Sequence, residues 1–336
     1  MIEILNSSTD PYFNMALEDY AINSLPGDRD YFILWQNQPV VVIGRNQNAL
    51  EEVNQDYVRE KGIAVVRRLS GGGAVYHDQG NLNFTFIVTA SLAESFAFER
   101  FTRPLIRALA QVGVKAQNQG RNDVNIAGKK FSGNAQYRRH HRLLHHGTIL
   151  FSTDLEMMAG ALNVDHSKME SKGVRSVSKR VTNIAGHLPR PLELKEFQTI
   201  LTREIQQEWG REEALTLSAV DLNNINRLRD EKYATWDWVY GASPTYNVRR
   251  SGRFSWGSID FFLQVNQGIV KNCRLYGDFF TTGDLRQLEA AFTGLEWREE
   301  DIREVISRLD PGSFINQATR DDFLQVMLQS SLEAEQ

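Results

Sequence analysis

Three consecutive glycines, Gly71, Gly72 and Gly73, interrupt an otherwise strand-like stretch. Residues 64–69 lead in and residues 74–77 lead out, so the chain turns between two short apolar runs. With no Cβ at three positions, the backbone there can approach a ligand closely. Successive N–H groups in such a turn can form an anion-binding nest. Arg67 and Arg68, just before it, can hold a carboxylate or phosphate, bidentately where geometry allows. A plain glycine-rich hairpin suits the same residues equally well. The segment does not open a helix as G-x-G-x-x-G. Gly128-Lys129-Lys130 lacks the spacing and the Ser/Thr of a P-loop, so ordinary dinucleotide and P-loop readings fail.

The pattern around this turn is mixed α and β. Residues 31–35 and 40–44 are strand-sized, split by the turn signal Asn37-Gln38-Pro39. Residues 83–89 and 148–152 read as further strands, and Ala127-Gly128 marks a hairpin between 124–126 and 130–132. Helical spacing covers 14–24 after Asp10-Pro11, then 50–61, 96–112, 154–162 with Asp154 as cap, and 192–209. Residues 163–180 are polar, basic and aperiodic, which reads as a loop. Composition shifts at 241–250 (GASPTYNVRR), where a domain boundary is expected. Beyond it, 254–256, 258–264 and 269–275 read as a meander followed by helices from Asp284, Glu299 and Asp321.

A length of 336 residues suits two domains. The 41% hydrophobic and 24% charged residues exclude a disordered or fibrous chain. The sole cysteine, Cys273, excludes a disulfide framework and a thiolate-rich metal site, and fits a reducing, cytoplasmic setting. No apolar run approaches a membrane span, and the first residues lack signal-peptide character. Net charge is −4, yet residues 121–180 hold 11 Lys/Arg against 5 Asp/Glu. One basic segment in an acidic protein suits a local anionic ligand, or simply a solvated face. No basic motif interleaved with aromatics appears, so nucleic acid is not an expected partner.

Two more clusters carry chemistry. Gly120-Arg121-Asn122-Asp123 precedes Lys129-Lys130-Phe131-Ser132-Gly133-Asn134. An Asp facing a Lys across a hairpin can bring a metal ligand and a fixed cation to one phosphate, and magnesium needs few protein ligands. A surface salt bridge of at most about 1 kcal/mol is the plainer alternative. Four histidines fall in His140-His141-Arg142-Leu143-Leu144-His145-His146-Gly147-Thr148. Strand neighbours point to opposite faces, which disfavours a metal site, whereas His146-Gly147-Thr148 entering a strand can line a pocket. Cys273 is remote from all these features, and no G-x-S-x-G is present, so cysteine and serine nucleophiles find no support.

RRLSGGGAVYHD, GRNDV, KKFSGNA, HHGT and KGVRSVSKRVTN, in this order and spacing, resemble the bacterial lipoate–protein ligases. LWQNQPVVVIGRNQN is similar too, and FSWGSIDFFLQVNQGIV resembles that family's accessory domain. The resemblance implies an α/β (α+β) fold: a biotin/lipoate-ligase-like catalytic domain over residues 1–244, with mixed sheets and flanking helices, and a small α+β accessory domain over 245–336. It implies a two-step reaction in which lipoate and Mg·ATP give lipoyl-adenylate and pyrophosphate. A carrier lysine then takes the lipoyl group and releases AMP. The implied carriers are 2-oxoacid dehydrogenase acyltransferase subunits and the glycine-cleavage H protein.

The resemblance also implies residue roles. Lys130 contacts the reacting carboxylate and α-phosphate, and Asp123 lies near the nucleotide and its Mg²⁺. Lipoate contacts fall to Trp35, Arg68, Ser70, Gly71, Gly72, Gly73, Ala74, Val75, Tyr76, His77, Asn83, His146 and Thr148, with Glu18 beside them. Nucleotide contacts fall to Gly73, Val75, Asp123 and Lys130, and to Lys172, Gly173, Val174, Arg175, Ser176 and Val177 of an adenylate-binding loop. Related acyl transferases use a site cysteine absent here, and no GRGRRG-type biotin-ligase loop is found. A transferase using preformed lipoyl-AMP, and a non-catalytic lipoate-binding protein, remain as alternatives.

Overall fold

The computed structural model describes residues 1–90, 97–120, 122–163, 180–240, 247–266 and 268–328, with the side chains of Leu50 and Glu51 left aside. Two compact units divide the chain. One comprises Met1–Ile43, Ala49–Leu69 and Ala74–Val239; the other comprises Gly44–Asn48, Ser70–Gly73 and Tyr240–Gln336. The expected boundary at 244/245 falls in 241–246, outside the described residues.

The first unit is built on a seven-stranded sheet. Its strands run in the order Ile2–Glu3, Tyr31–Trp35, Asn81–Thr89, Arg142–Leu150, Lys129–Arg139, Asp123–Ile126 and Ala116–Gln119. All neighbours are antiparallel except the first pair. Both faces of its centre are covered, so 81–88 is buried throughout, including the polar Asn81, Asn83 and Thr85 that alternate with Leu82, Phe84 and Phe86. Phe84, Phe86 and Val88 point to one face, where helices Phe98–Gln111 and Leu194–Trp209 supply Phe101, Leu105, Phe197 and Leu201. Ile87, Ile33 and Leu144 point to the other, against Met15, Ala16 and Ile22 of helix Pro11–Ser24. Asp10 caps that helix by accepting from the Tyr12 N–H, with Pro11 in its first turn.

A second sheet in this unit has the order Ala64–Arg67, Val40–Ile43, Val75–His77. It pairs parallel on one side and antiparallel on the other, and the glycine triplet lies between its outer strands.

Local signals explain most elements. Ala127 and Gly128 have φ of 49° and 78°, the left-handed pair that closes a two-residue hairpin. Asp154 caps helix Leu155–Ala161. Three expectations need correction. The stretch 50–61 is two helices, Ala49–Glu52 and Gln55–Glu60, because Asn54 restarts the chain as a new cap. The strand expected at 148–152 runs over Arg142–Leu150, so the His-Gly-Thr segment lies inside it. Its first residues are buried without alternation, which removes the usual strand signal.

The second unit contains the antiparallel meander Val248–Phe254, Gly257–Asn266, Ile269–Tyr276. Phe261, Leu263 and Leu275 pack there with Phe292, Ile306 and Phe323. The strand expected at 254–256 instead ends at Phe254, with Trp256 in the following turn.

Candidate active site

Strand alternation sorts the histidines. His145 points into the aromatic core and stacks on Phe101 with centroids 4.3 Å apart. His146 points to the opposite face and meets Glu18 of helix Pro11–Ser24, with Nδ1 2.9 Å from Oε1. Two residues on, Thr148 shares His146's face and accepts the Gly133 N–H through Oγ1 at 3.2 Å. His140 and His141 lie at the preceding turn and are exposed. The four therefore do not converge on one point.

Glu18 is 1% exposed and holds a short polar chain. The Thr85 hydroxyl donates to Glu18 Oε1 at 2.5 Å, and Trp35 Nε1–H donates to Thr85 Oγ1 at 2.9 Å. Register places Thr85 opposite both His146 and Ile33, and Asn83 opposite both Thr148 and Trp35. Trp35, Asn83, His146 and Thr148 thus fall in adjacent rows of three neighbouring strands. Asn83 is buried, accepting from Asn81 Nδ2 and donating to the Trp35 carbonyl.

His77 stands edge-on to Trp35, centroids 6.0 Å apart. Asn37 Nδ2–H donates to its Nδ1 at 3.1 Å, so the ring proton sits on Nε2, which is buried without a hydrogen-bond partner. Burial, then the charge of Arg68 and then His146, push the His77 pKa down to about 3. Arg68 is itself buried and donates to the Val42 carbonyl at 3.1 Å. Burial brings its pKa down to about 10, against the opposing pull of Glu18. Burial also raises the Tyr76 hydroxyl pKa.

Arg67 is engaged by backbone carbonyls. Its guanidinium donates to the carbonyls of Trp238 and Val239, and Trp238 Nε1–H donates back to the Arg67 carbonyl.

Lys130 and Asp123 come together as expected. Nζ lies 2.8 Å from Oδ1, each side chain 36% exposed. The strands are antiparallel, with a register shift between Val124 and Asn125 that sets Asp123 opposite Gly133 rather than Ser132. Gly133 leaves the space Lys130 occupies: a Cβ there would stand 2.9 Å from Lys130 Cε and Nζ. The Lys130 carbonyl accepts from the Thr182 N–H at 2.9 Å.

Ala74 and Val75 are half-buried in the first unit. Ser70–Gly73 belongs to the second. There, the Arg45 N–H donates to the Ser70 carbonyl at 2.8 Å, and a Cβ at Gly71 would collide with the Phe279 backbone carbonyl. For Gly71 the close neighbour is therefore another stretch of chain. Gly72 has φ of 91°, a conformation that favours glycine. Lys172, Gly173, Val174, Arg175, Ser176 and Val177 lie outside the described residues.

The sequence alone does not single out Thr85, and it leaves Asn37, His145, Asn122 and Asn134 without a role in the site. Asn122, Asn134 and His145 lie inside the GRNDV, KKFSGNA and HHGT motifs, which is the available signal. Asn37 carries only a turn signal, and Thr85 only its polarity within a strand.

A mixed sheet with helices on both faces, together with a small α+β unit, is the fold of lipoate–protein ligases. Residues 10–206 match the lipoyl protein ligase A/B catalytic domain, and residues 243–327 match the bacterial lipoate protein ligase C-terminus. Lipoate-protein ligase LplJ of Bacillus subtilis is 41% identical over 321 residues, covering 95% of this chain and 97% of that protein. The crystal structure of P. falciparum LipL1 in complex with lipoate has the same fold, with a TM-score of 0.81 at 24% identity over 98% of this chain and 99% of that one. The structure of lipoate-protein ligase A bound with ATP gives a TM-score of 0.63 at 26% identity, covering 71% of this chain and 98% of that one. The chain belongs to the lipoate–protein ligase family. It is an enzyme, a lipoate–protein ligase. Among the described residues no helix is long and apolar enough to cross a membrane.

Proposed function

We propose that the enzyme joins lipoate to Mg·ATP, forming lipoyl-adenylate and releasing pyrophosphate, and then passes the lipoyl group to a carrier lysine with release of AMP. The observation that carries this reading is the Lys130–Asp123 pair at 2.8 Å, half-exposed beside Thr148 and Gly133. Adenylation builds negative charge on the carboxylate and α-phosphate oxygens, and a cation fixed in place before reaction stabilises it without reorganisation. Asp123 fixes that cation and offers a carboxylate to the Mg²⁺ of the nucleotide, which needs few protein ligands.

Trp35, Asn83, His146, Thr148, Arg68, His77, Tyr76, Val75 and Ala74 are assigned to lipoate. Most are buried, and Glu18 and Thr85 brace them. Ser70, Gly71, Gly72 and Gly73 are assigned to lipoate, and Gly73 and Val75 also to nucleotide, on their motif. Residues 172–177 are assigned to the adenylate on the same ground, since a loop over a mixed anhydride limits hydrolysis. The domains are assigned as 1–244, catalytic, and 245–336, accessory. The acceptors are assigned as 2-oxoacid dehydrogenase acyltransferase subunits and the H protein, and the setting as cytoplasmic, in keeping with one buried cysteine.

Lipoate-dependent ATP–pyrophosphate exchange without carrier tests the reading. Exchange is the expected result. Its absence, with transfer from supplied lipoyl-AMP intact, would make the protein a transferase.

A further inference from the structure

His145 is fully buried, and the reaction described above does not use it. Its environment is nevertheless specific. Gln136 Nε2–H donates to Nδ1 at 3.0 Å, which leaves the ring proton on Nε2; that proton is donated to Asn134 Oδ1 at 3.1 Å. Burial, with His146 adding to it, holds the ring neutral, so this donor–acceptor order is kept.

The order matters because it orients the Asn134 amide. With Oδ1 engaged by His145, Nδ2 faces the Asn122 carbonyl and donates to it at 3.1 Å. The Asn134 N–H donates to the same carbonyl at 2.9 Å, and Asn122 Nδ2–H donates to the Asn134 carbonyl at 2.6 Å. Three hydrogen bonds thus fasten Asn122, the residue before Asp123, to Asn134 on the far side of the register shift between Val124 and Asn125. Gly147 keeps this junction open, since a Cβ there would collide with Phe84 and stand 2.5 Å from Asn134 Oδ1. The ring stack on Phe101 fixes the far end in the core.

We propose that His145, acting through Asn134 and Asn122, is a positioning residue that sets the Asp123–Lys130 pair for adenylation. The inference rests on the assignment of Lys130 and Asp123 to that step. It accounts for both asparagines of the GRND and SGNA motifs and for the first histidine of HHGT.

The test uses the full chain with His145→Phe, Asn122→Ala and, as control, Lys130→Ala. The readouts are kcat and KM of lipoate-dependent ATP–pyrophosphate exchange, lipoate Kd by calorimetry, and thermal unfolding. Expected for the first two variants is a kcat about 10- to 100-fold lower, the scale of losing a group that orients another, with lipoate Kd unchanged. A folded His145→Phe or Asn122→Ala variant that exchanges like the parent would overturn the relay. So would a loss of lipoate binding in step with exchange, which marks general disruption. If His145→Phe does not fold, Asn122→Ala decides by the same criteria, because its side chain is only half-buried. Lys130→Ala exchanging like the parent would overturn the underlying assignment; Lys130→Ala silent with Asn122→Ala parental would overturn the relay alone.

Discussion

His146 and Glu18 are 128 residues apart in the chain, yet Nδ1 of the one lies 2.9 Å from Oε1 of the other. This contact ties helix Pro11–Ser24 to the centre of the seven-stranded sheet. It is extended by the Thr85 hydroxyl, which donates to the same oxygen. Glu18→Ala leaves two buried donors without an acceptor. At roughly 1–3 kcal/mol for each unsatisfied group, the expected loss is about 2–6 kcal/mol. Glu18→Gln keeps one oxygen and should lose less. Urea unfolding of the two variants measures the difference, and an Ala variant as stable as the parent would show that the network contributes nothing.

Acid should weaken the fold through its buried histidines. The pKa of His77 is about 3 folded against an ordinary 6.5, and that of His145 is also depressed. Below 6.5 the unfolded chain therefore binds more protons than the folded one. The histidine contribution is complete above 6.5 and is lost as pH falls toward 3. Each neutral histidine adds a slope of up to about 1.4 kcal/mol per pH unit in that window. Unfolding free energies measured between pH 4 and 7 should fall toward acid, less steeply in His77→Gln. Equal slopes in variant and parent would mean that His77 titrates normally.

Lys130→Ala should retain its fold and lose adenylation. The side chain is half-exposed and its partner Asp123 equally so, which limits the stability of the pair to the modest worth of a surface ion pair. As a preorganised cation it should matter far more to the reaction: the exchange rate is expected to drop by roughly 10²–10³. Lipoate binding measured separately should persist. Parental exchange in the folded variant would remove Lys130 from the chemistry.

How far such features were legible depended on whether their cause was local. The hairpin at Ala127-Gly128, the Asp10 and Asp154 caps and the pairing of Lys130 with Asp123 follow from residues close in sequence. The helix Ala219–Leu228 was missed although Ser218 and Asp221 form a reciprocal capping box, a signal present in the sequence. The start of strand Arg142–Leu150 was missed because burial on both faces erases alternation. Contacts such as Glu18 with His146, or Arg67 with Val239 across 172 positions, leave no periodic trace. Polarity at Glu18 and Arg67 was visible, but their partners were not. Gly71 shows the same limit, since its lack of a side chain answers to Phe279, more than 200 residues further on.

Octanoate should compete with lipoate. Trp35 and Val75 give the proposed acyl site apolar surface, and each buried CH₂ contributes only about 0.8 kcal/mol. A chain of similar length without the sulfur ring therefore keeps most of the binding. Inhibition of lipoate-dependent exchange by octanoate, or octanoyl-adenylate formation, is the expected observation. Octanoate inert at saturation would indicate that polar contacts to the ring, with the unpartnered His77 Nε2 as one donor, dominate recognition.

Gly133→Ala separates position from charge at the same centre. Gly133 has no left-handed backbone requirement, so an alanine is conformationally acceptable there. Its Cβ, however, would stand 2.9 Å from Lys130 Cε and Nζ, too close for both to remain. The lysine end is flexible and yields first, so stability should change little while Nζ moves off Asp123. Displacement by about 1 Å from a productive geometry can cost on the order of 10²-fold in rate. The expected variant is one with near-parental thermal unfolding, unchanged lipoate affinity and exchange reduced toward that of Lys130→Ala. If exchange stays parental, the productive position of Lys130 differs from the one it holds against Asp123, and the ion pair is a resting arrangement.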